Sequence, residues 1–494
     1  MKQSKQFLSI IVAGLLLSAC DKKLDESPKS FIAPDQFFTT DAQCIQAVNG
    51  VYSGLPELFG QEDLWKSIEE GTDVLIYTGG TDGNQEYTLS AAAPGNISNV
   101  WRKCYSAITN ANLIIHRVGN AKITDTLKTR LVGEALYLRA LHYYILTNSF
   151  GAVPVWTDEL NVDVVSTLPR ADAADVRKQI KDDLLQASGQ LPYSYPALET
   201  GRATKGAALA LLAKVYLLDK DWANAEKYAQ MVVDSKQYTL VNFADLFDVN
   251  NRFKNNKESI FEIQFKRDNA TNTNTRVTYY YTWFIPVRDG NNKTYAGVDF
   301  GTTVLLGYEN FCPTLALVNM FETGDKRKDV TVATSYNGQP FTRFKKPNHP
   351  WFGAKFWDLQ ANDRNSGKDI YFQRYADVLL TLAEAQNEQS KTADALTWIN
   401  KVRADHGGLT TPVSGVAQDS VTRLIRKERA IEFVGEFQRK WDLARWGTLV
   451  DAVKSVTDDN PIGAKNIKPE FALFPVPDAE IIKNPNLKPQ NKGY

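Results

Sequence analysis

The chain has 494 residues, 43% of them hydrophobic and 23% charged, which is ordinary for a globular protein with a large core. Its 57 basic and 57 acidic residues cancel, which excludes the basic surface of a nucleic-acid-binding protein and any acidic tail. Length alone suggests about three domains, although large helical proteins also reach this size as one unit.

The first 20 residues have the pattern of a lipoprotein signal. Lys2 and Lys5 precede an apolar run over residues 7–17, which is too short to span a bilayer and has the length of a signal-peptide core. Small residues then lead directly to Cys20, as in the lipobox of bacterial lipoproteins. We predict a signal peptide over residues 1–19 and lipid attachment at Cys20. An exported protein with an unmodified Cys20 is the alternative.

A tether and three further cysteines follow. Residues 20–40 are charged and contain Pro28, which favours a flexible leash over a core element. Cys44, Cys104 and Cys312 show neither CxxC nor regular spacing, so they indicate neither a zinc site nor a disulfide framework. One disulfide bond among these three cysteines is possible, and the sequence does not indicate which pair would form it.

Helical spacing of apolar residues dominates the chain up to residue 236. Asp41 is a plausible N-cap of the first helix. The spacing predicts helices over residues 42–55, 99–118, 126–150 and 175–191. Between residues 69 and 98 the pattern gives way to Gly, Asn and Pro turns.

Residues 201–236 contain two amphipathic runs separated by the polar turn Asp219–Asp221. This arrangement predicts an antiparallel helix hairpin. Its length of about 34 residues and its alanine-rich faces are typical of a tetratricopeptide unit. Because such a unit cannot bury its apolar face alone, further helices should stack on it.

The sequence pattern changes between residues 237 and 373, where helical spacing of apolar residues is lost. Residues 260–266 alternate as a strand does, and around them lie polar, aromatic-rich loops such as 269–275 and 348–357. Long loops in a compact protein are usually functional. Helical spacing then returns over residues 374–388, 392–406, 419–436 and 438–453.

These patterns predict a mainly α fold in which tetratricopeptide-like helix pairs form a scaffold. We expect residues 41–494 to be a single unit. The scaffold should occupy residues 41–236 and 374–454, and the irregular, ligand-binding part with short strands should occupy residues 237–373.

The sequence contains few signs of catalysis. Its four histidines lack metal-ligand spacing, and it has no G-x-S-x-G, P-loop or G-x-G-x-x-G motif. We therefore expect neither an enzyme, nor a cofactor, nor a metal. Glu428, Glu432 and Glu436 share one helix face, where a glycosidase would place paired carboxylates. With Arg429, Arg439 and Arg445 near in sequence, a buried ion-pair network is the favoured interpretation.

Loop aromatics are better candidates for binding. A sugar ring stacks its CH face on Trp or Tyr while Asp, Asn and Arg bind its hydroxyls. Three loops offer these residue types: the first has Asp73, Tyr77, Asn84 and Tyr87, the second has Tyr281, Trp283, Arg288 and Tyr295, and the third has Trp351. For any single aromatic, anchoring its loop to the core is an equally good interpretation, and only the clustering favours a binding platform.

Several motifs resemble those of the SusD-like (RagB/SusD) outer-membrane nutrient-binding lipoproteins. The most specific are Glu428-Arg429-xx-Glu432, Arg439-xx-Asp442-Leu443-xx-Trp446-Gly447 and the closing Pro475-x-Pro477 with Gln490-Asn491-x-Gly493-Tyr494. Others are Trp101-xxx-Tyr105, residues 134–141 followed by Phe150-Gly151-xx-Pro154, residues 374–380 and Asn400-xx-Arg403. They occur in family order along essentially the whole chain.

The resemblance implies an α-rich fold with four tetratricopeptide-like helix pairs and a ligand site in the irregular region. It also implies a cell-surface lipoprotein of the outer membrane, anchored in its lipid by palmitate and related acyl chains on Cys20. The implied partners are an oligosaccharide and a SusC-like TonB-dependent transporter that receives it. No family motif fixes the ligand-binding residues.

Three alternatives stay open. The ligand of the same uptake system could be a peptide, which would be bound through its backbone more than by stacking. A surface glycoside hydrolase would use Glu428 and Glu432. A pure protein-interaction scaffold would have no soluble ligand.

Overall fold

The computed structural model describes residues 37–267, 277–290, 292–302, 307–361, 363 and 365–494. The predicted signal peptide, Cys20, the tether up to residue 36 and the loop 269–275 lie outside these residues. Across the described ranges, no helix combines the length and hydrophobicity that crossing a bilayer requires.

Helices make up most of the described chain, which confirms the mainly α prediction. In the first half they are Asp41–Tyr52, Leu55–Phe59, Glu62–Glu69, Gly83–Glu86, Ile97–Asn120, Asp125–Phe150, Val162–Val165, Ala173–Gln190, Lys205–Leu218, Trp222–Asp234 and Phe243–Leu246. In the second half they are Leu315–Met320, Arg327–Thr331, Tyr375–Glu388, Thr392–Asp405, Gln418–Phe433, Arg439–Arg445, Leu449–Ser455, Pro461–Asn466 and Asp478–Lys483. Single 3-10 turns occur at Ala197–Glu199, Tyr280–Trp283, Ala354–Phe356, Pro469–Ala472 and Pro485–Leu487.

The long helices pack side by side in chain order. Ile97–Asn120 packs on Asp125–Phe150, which packs on Ala173–Gln190, and the stack continues through the predicted hairpin. The second hairpin helix, Trp222–Asp234, then packs on Tyr375–Glu388, although residues 235–374 separate the two in sequence. The helical stack is therefore continuous across the irregular region.

The hairpin forms as predicted, with helices Lys205–Leu218 and Trp222–Asp234. The Thr204 hydroxyl caps the first helix and the Asp221 carboxylate caps the second. The first helix is buried on nearly all sides, because it lies between neighbours in the stack and its alanines allow close approach.

Most ends of the predicted long helices are shifted by up to about three residues, and two differences have a clear local cause. The first helix is capped by Thr40 rather than Asp41, because Thr40 is extended and exchanges hydrogen bonds with Gln43 in a capping box. The predicted helix 438–453 is two helices, Arg439–Arg445 and Leu449–Ser455. Gly447, at a φ of +69°, turns the chain between them.

The described strands form five two-stranded antiparallel sheets. Leu75–Tyr77 pairs with Phe311–Pro313, and Ser259–Ile263 pairs with Ile370–Arg374. The other pairs are Thr294–Tyr295 with Val298–Asp299, Val332–Ala333 with Trp351–Phe352, and Ser335–Tyr336 with Gln339–Pro340. The first of these sheets joins the irregular region to the loop that follows residue 69.

Candidate ligand-binding surface

Two of the three predicted binding loops meet at one surface. The pairing of Leu75–Tyr77 with Phe311–Pro313 places Tyr77 opposite Phe311. The amide of Thr78 continues this ladder by donating to the Asn310 carbonyl at 2.7 Å. The amide of Asn310 in turn donates to the Trp283 carbonyl at 3.1 Å. Three distant segments of the chain are thus joined by backbone hydrogen bonds.

Three half-buried aromatic side chains lie on these segments, and we call Tyr77, Trp283 and Tyr308 the aromatic platform. The Trp283 and Tyr308 rings are stacked, with centroids 4.9 Å apart and an interplanar angle of 27°. The buried ring of Phe311 contacts both sides of the group, at 5.1 Å from Tyr77 and 6.4 Å from Trp283. The platform therefore rests on the core through one shared residue.

The backbone around the platform is held by specific hydrogen bonds. The side-chain amide of Gln85 accepts from the Tyr77 amide and donates to the Tyr77 carbonyl. The amide of Tyr308 donates to the Thr282 carbonyl at 3.0 Å. Such contacts fix side chains on loops that have little regular secondary structure of their own.

A lysine lies against the platform. The Lys66 ammonium is 4.8 Å from the centroid of the Tyr77 ring and 6.0 Å from that of Trp283, within range of a cation–π interaction. It pairs with Asp82 at 2.9 Å. Burial opposes its charge, but the nearby carboxylates of Glu70, Asp82 and Glu62 raise the pKa of Lys66 above its usual value.

A polar rim borders the platform next to Tyr308. Arg343 pairs with Asp289 at 2.7 Å and with Glu309 at 3.3 Å, and Lys345 pairs with Glu309 at 3.2 Å. Arg288 is half-buried, and its Nε donates to the Gly290 carbonyl at 3.2 Å. Charged and amide groups around aromatic rings can bind the hydroxyl groups of a polar ligand.

Of the predicted binding residues, Tyr77, Trp283 and Arg288 are partly accessible. Tyr77 and Trp283 belong to the same platform although they come from different loops. Tyr308 and Lys66 were not predicted. Tyr308 lies just before a strand of three residues, and Lys66 lies on the helix Glu62–Glu69, which the periodicity did not reveal.

The other six predicted binding residues are buried, which corrects their assignment to an exposed surface; they are Asp73, Asn84, Tyr87, Tyr281, Tyr295 and Trp351. Asp73 pairs with Arg439 at 2.6 Å, and the Tyr281 hydroxyl donates to the Asp369 carbonyl at 2.6 Å. Trp351 is fully buried, and its indole nitrogen donates to the Arg343 carbonyl. These side chains anchor loops to the core, because segments with few strand or helix hydrogen bonds need buried area to hold them.

The remaining three have similar structural roles. The side-chain amide of Asn84 donates to Asp82, which caps the short helix Gly83–Glu86. The Tyr87 hydroxyl donates to the Gly71 carbonyl at 2.9 Å. The Tyr295 ring stacks on Phe300 with centroids 4.8 Å apart.

The glutamates at spacing four form a buried ion-pair network, as predicted, but with other cations. Arg374 pairs with Glu432 and Glu436, each at 2.7 Å, and Arg327 pairs with Glu428 at 2.8 Å. The three arginines that were expected to insert face other carboxylates: Arg429 pairs with Asp377 and Asp442, Arg439 with Asp73, and Arg445 with Glu384 and Asp442. The partners come from distant segments, which sequence proximity could not indicate.

A histidine lies inside this network. His406 contacts Glu432 through Nδ1 at 2.7 Å and Glu258 through Nε2 at 3.0 Å, so both ring nitrogens are placed to donate protons. Burial would lower its pKa, but Glu432 and Glu258 raise the pKa of His406 to about 9. Glu258, His406 and Glu432 lie close enough together to hold a metal ion, but both carboxylates are already paired with Arg374.

Cys44, Cys104 and Cys312 are all free and buried, which resolves the question of a disulfide among them. Burial raises the pKa of each thiol, so these cysteines behave as core residues.

Comparison with known proteins identifies relatives over the whole chain. A model of the SusD family matches residues 334–494, and a model described as starch-binding associating with outer membrane matches residues 25–217. A SusD-like protein of Formosa agariphila is 29% identical, covering 98% of this chain and 99% of the relative. The starch-binding protein SusD of Bacteroides thetaiotaomicron is 25% identical, covering 100% of this chain and 99% of the relative.

Solved structures share the fold. A SusD homolog from Bacteroides thetaiotaomicron superposes with a TM-score of 0.80 at 23% identity, covering 93% of this chain and 98% of that one. A laminarin-binding SusD-like protein superposes with a TM-score of 0.77 at 24% identity, covering 92% of this chain and 100% of that one.

Proposed function

Because the chain belongs to the SusD family, we propose that it is a cell-surface lipoprotein that binds an oligosaccharide and delivers it to a TonB-dependent outer-membrane transporter. The ligand class, the anchor and the transporter partner are separate parts of this proposal. Each has its own supporting observation and its own test.

The observation that carries the ligand class is the aromatic platform. Two stacked rings, Trp283 and Tyr308, lie beside Tyr77, with Lys66 against the rings and the Arg343–Glu309 pair next to them. A sugar presents an apolar CH face and a polar edge, so it matches an aromatic surface that has charged groups at its border. Relatives named for binding starch or laminarin support the same class.

Binding without catalysis fits the state of the carboxylates. A glycosidase needs two accessible carboxyl groups on either side of a sugar. Glu428 and Glu432 are instead fully buried and paired with arginines, where no sugar reaches them without unfolding the helix.

Calorimetric titration against neutral, acidic and amino-sugar oligosaccharides and against a set of oligopeptides tests the ligand class. We expect binding to at least one glycan, and in the double variant Tyr77→Ala/Trp283→Ala we expect its affinity to fall by more than about tenfold. The variant Trp398→Ala is the matched control, since it removes a half-buried aromatic ring from the helix Thr392–Asp405, outside the platform. Binding of peptides alone would replace this ligand class with the peptide alternative.

The anchor and the transporter require experiments in cells. We propose acylation of Cys20, which follows an apolar run and small residues. Labelled palmitate should be incorporated into the wild-type protein and not into Cys20→Ala, and protease added to intact cells should degrade the wild-type protein. When the protein is purified from mild detergent extracts of the membrane, a TonB-dependent transporter should be purified with it. If no such transporter accompanies the protein, delivery to a transporter is contradicted.

A further inference from the structure

A second cleft lies beside the helices Asp41–Tyr52 and Leu55–Phe59, around the loop formed by residues 200–202. It consists of two cavities of about 260 and 330 Å³ that share Thr200, Gly201, Arg202 and Glu262 in their walls. We propose that this Gly201 cleft is a second binding site for a neutral saccharide, separate from the aromatic platform. The proposal rests on the proposed function, since it assigns a further site to the same ligand class.

The walls of the cleft combine aromatic rings with neutral hydrogen-bonding groups. Four tyrosines line it, Tyr52 in one cavity and Tyr193, Tyr195 and Tyr238 in the other. The remaining polar lining is rich in side-chain amides, contributed by Asn49, Gln237, Asn255, Asn256 and Gln264. Rings that stack on CH faces and amides that bind hydroxyls are what a saccharide requires.

Most charged groups in the lining are engaged by other protein groups, and the exception among the described residues is Lys257, which is exposed to solvent. Arg202 pairs with Glu134 at 2.9 Å, and Glu199 pairs with Arg130 at 2.5 Å. Glu262 is buried, and its carboxylate accepts from the Asn255 amide at 3.0 Å. An acidic or sulfated sugar would find only the exposed Lys257 and the Lys205 ammonium beside Tyr193 to offset the loss of its hydration, so an uncharged sugar is favoured.

The cleft is preformed. The Tyr52 hydroxyl accepts from the Ala203 amide and the Tyr195 hydroxyl donates to the Ala203 carbonyl, both at 2.9 Å, so tyrosines from two walls fix the central loop. Gly201 has a φ of +95°, and a Cβ there would lie 2.8 Å from Cγ of Gln264. A wall held in place before binding lowers the ordering cost of taking up a ligand.

Some polar side chains in the cleft remain available to form hydrogen bonds with a ligand. Within the described ranges the Tyr193 hydroxyl makes no hydrogen bond, and its ring is half-buried with the Lys205 ammonium 5.3 Å from the ring centroid. Gln237 is exposed at the edge of the same cavity. Neither cavity shares a residue with the aromatic platform, so the two sites can be changed independently. A chain long enough to reach both sites would gain from their combined affinity.

The test uses ligand-observed NMR and calorimetry with malto- and laminari-oligosaccharides on the whole mature chain. The platform double variant Tyr77→Ala/Trp283→Ala isolates the cleft. Adding Thr200→Trp then fills the cleft from an exposed position that both cavities share, without removing a buried side chain. Thr397→Trp, at an exposed helix position, is the matched control. Adding Tyr193→Ala instead of Thr200→Trp gives an independent second variant.

We expect the platform double variant to retain measurable saccharide binding. Adding Thr200→Trp or Tyr193→Ala to it should weaken that binding at least about tenfold. Adding Thr397→Trp should leave that binding unchanged. Complete loss of binding in the folded platform double variant would overturn the second site and leave the proposed function intact. Residual binding that neither cleft variant weakens would also overturn it. Wild-type protein that binds no glycan at all would instead refute the proposed function itself.

Discussion

The amide of Thr78 donates to the carbonyl of Asn310 at 2.7 Å, although the two residues are 232 positions apart in the chain. This hydrogen bond extends the short sheet that carries Tyr77, and Asn310 is bonded in turn to the Trp283 backbone. The platform thus depends on the register of one two-stranded sheet. Ligand affinity and the stability of that sheet should therefore be linked.

Replacing two tryptophans should separate binding from stability. Trp283 is half-buried on the platform, so Trp283→Ala should weaken glycan binding by roughly tenfold, about 1.4 kcal/mol. Trp351 is fully buried, so Trp351→Ala should lower the free energy of unfolding by about 3–5 kcal/mol. Below its unfolding temperature, the Trp351 variant should bind glycan with wild-type affinity. Denaturant unfolding measures the free energy of unfolding, and calorimetric titration measures the glycan affinity. A loss of affinity of about tenfold in folded Trp351→Ala would show that Trp351 belongs to the binding surface after all.

Gly307 controls the spacing behind the platform. A Cβ at this position would lie 2.2 Å from the Pro286 carbonyl oxygen and 2.8 Å from that of Ile285, and backbone atoms cannot rotate away. Gly307→Ala should therefore displace Tyr308 from Trp283, lower stability by about 1–3 kcal/mol and weaken glycan binding. Gly119→Ala is the control, because nothing lies within 4 Å of its Cβ position. An unchanged affinity in Gly307→Ala would show that the Trp283–Tyr308 stack is dispensable.

Arg374 should be among the most sensitive positions in the scaffold. Its guanidinium bonds Glu258, Glu432 and Glu436, all of which are buried. Arg374→Ala leaves these carboxylates without their shared cation and should cost about 3–5 kcal/mol in free energy of unfolding. Lys401→Ala breaks an exposed pair with Asp405 and should cost less than about 0.5 kcal/mol. Equal losses in the two variants would contradict the structural role of the network.

His406 should make the protein less stable at alkaline pH. Its folded-state pKa is raised to about 9 from an ordinary value of 6.5. The stabilisation by the charged ring is therefore complete below about pH 6.5 and is lost as the pH rises towards 9, by at most about 3 kcal/mol. The stability difference between wild type and His406→Gln should shrink over this interval in denaturant titrations at fixed pH values. A difference that stays constant from pH 6.5 to 9 would mean that the ring is not protonated in the folded protein.

The three buried thiols should be unreactive in the folded protein. Cys44, Cys104 and Cys312 are free, so a reductant should leave the unfolding temperature unchanged. In a Cys20→Ser background, a thiol reagent should react with these three cysteines only after denaturant is added. A fall in unfolding temperature with reductant would reveal a disulfide.

The sequence by itself determined the helical scaffold and the family, because both depend on local patterns. Apolar spacing within each helix placed the long helices and the hairpin to within a few residues, and the motifs around Glu428 and Arg439 are contiguous in the chain. Local patterns also distinguished a structural carboxylate network from a catalytic pair. They could not name its partners, since Arg327, Arg374 and His406 come from other segments.

Only the tertiary structure decided which loop aromatics are exposed. Trp283 and Trp351 lie in equally polar, aromatic-rich stretches, yet one lies on the platform and the other is fully buried. In loops without regular periodicity, side-chain direction follows no fixed repeat, so burial depends on which distant segment packs over each residue. The pairing of residues 75–77 with 311–313 brings Tyr77 to Phe311, whose ring also contacts Trp283, and no local pattern in either segment encodes that arrangement.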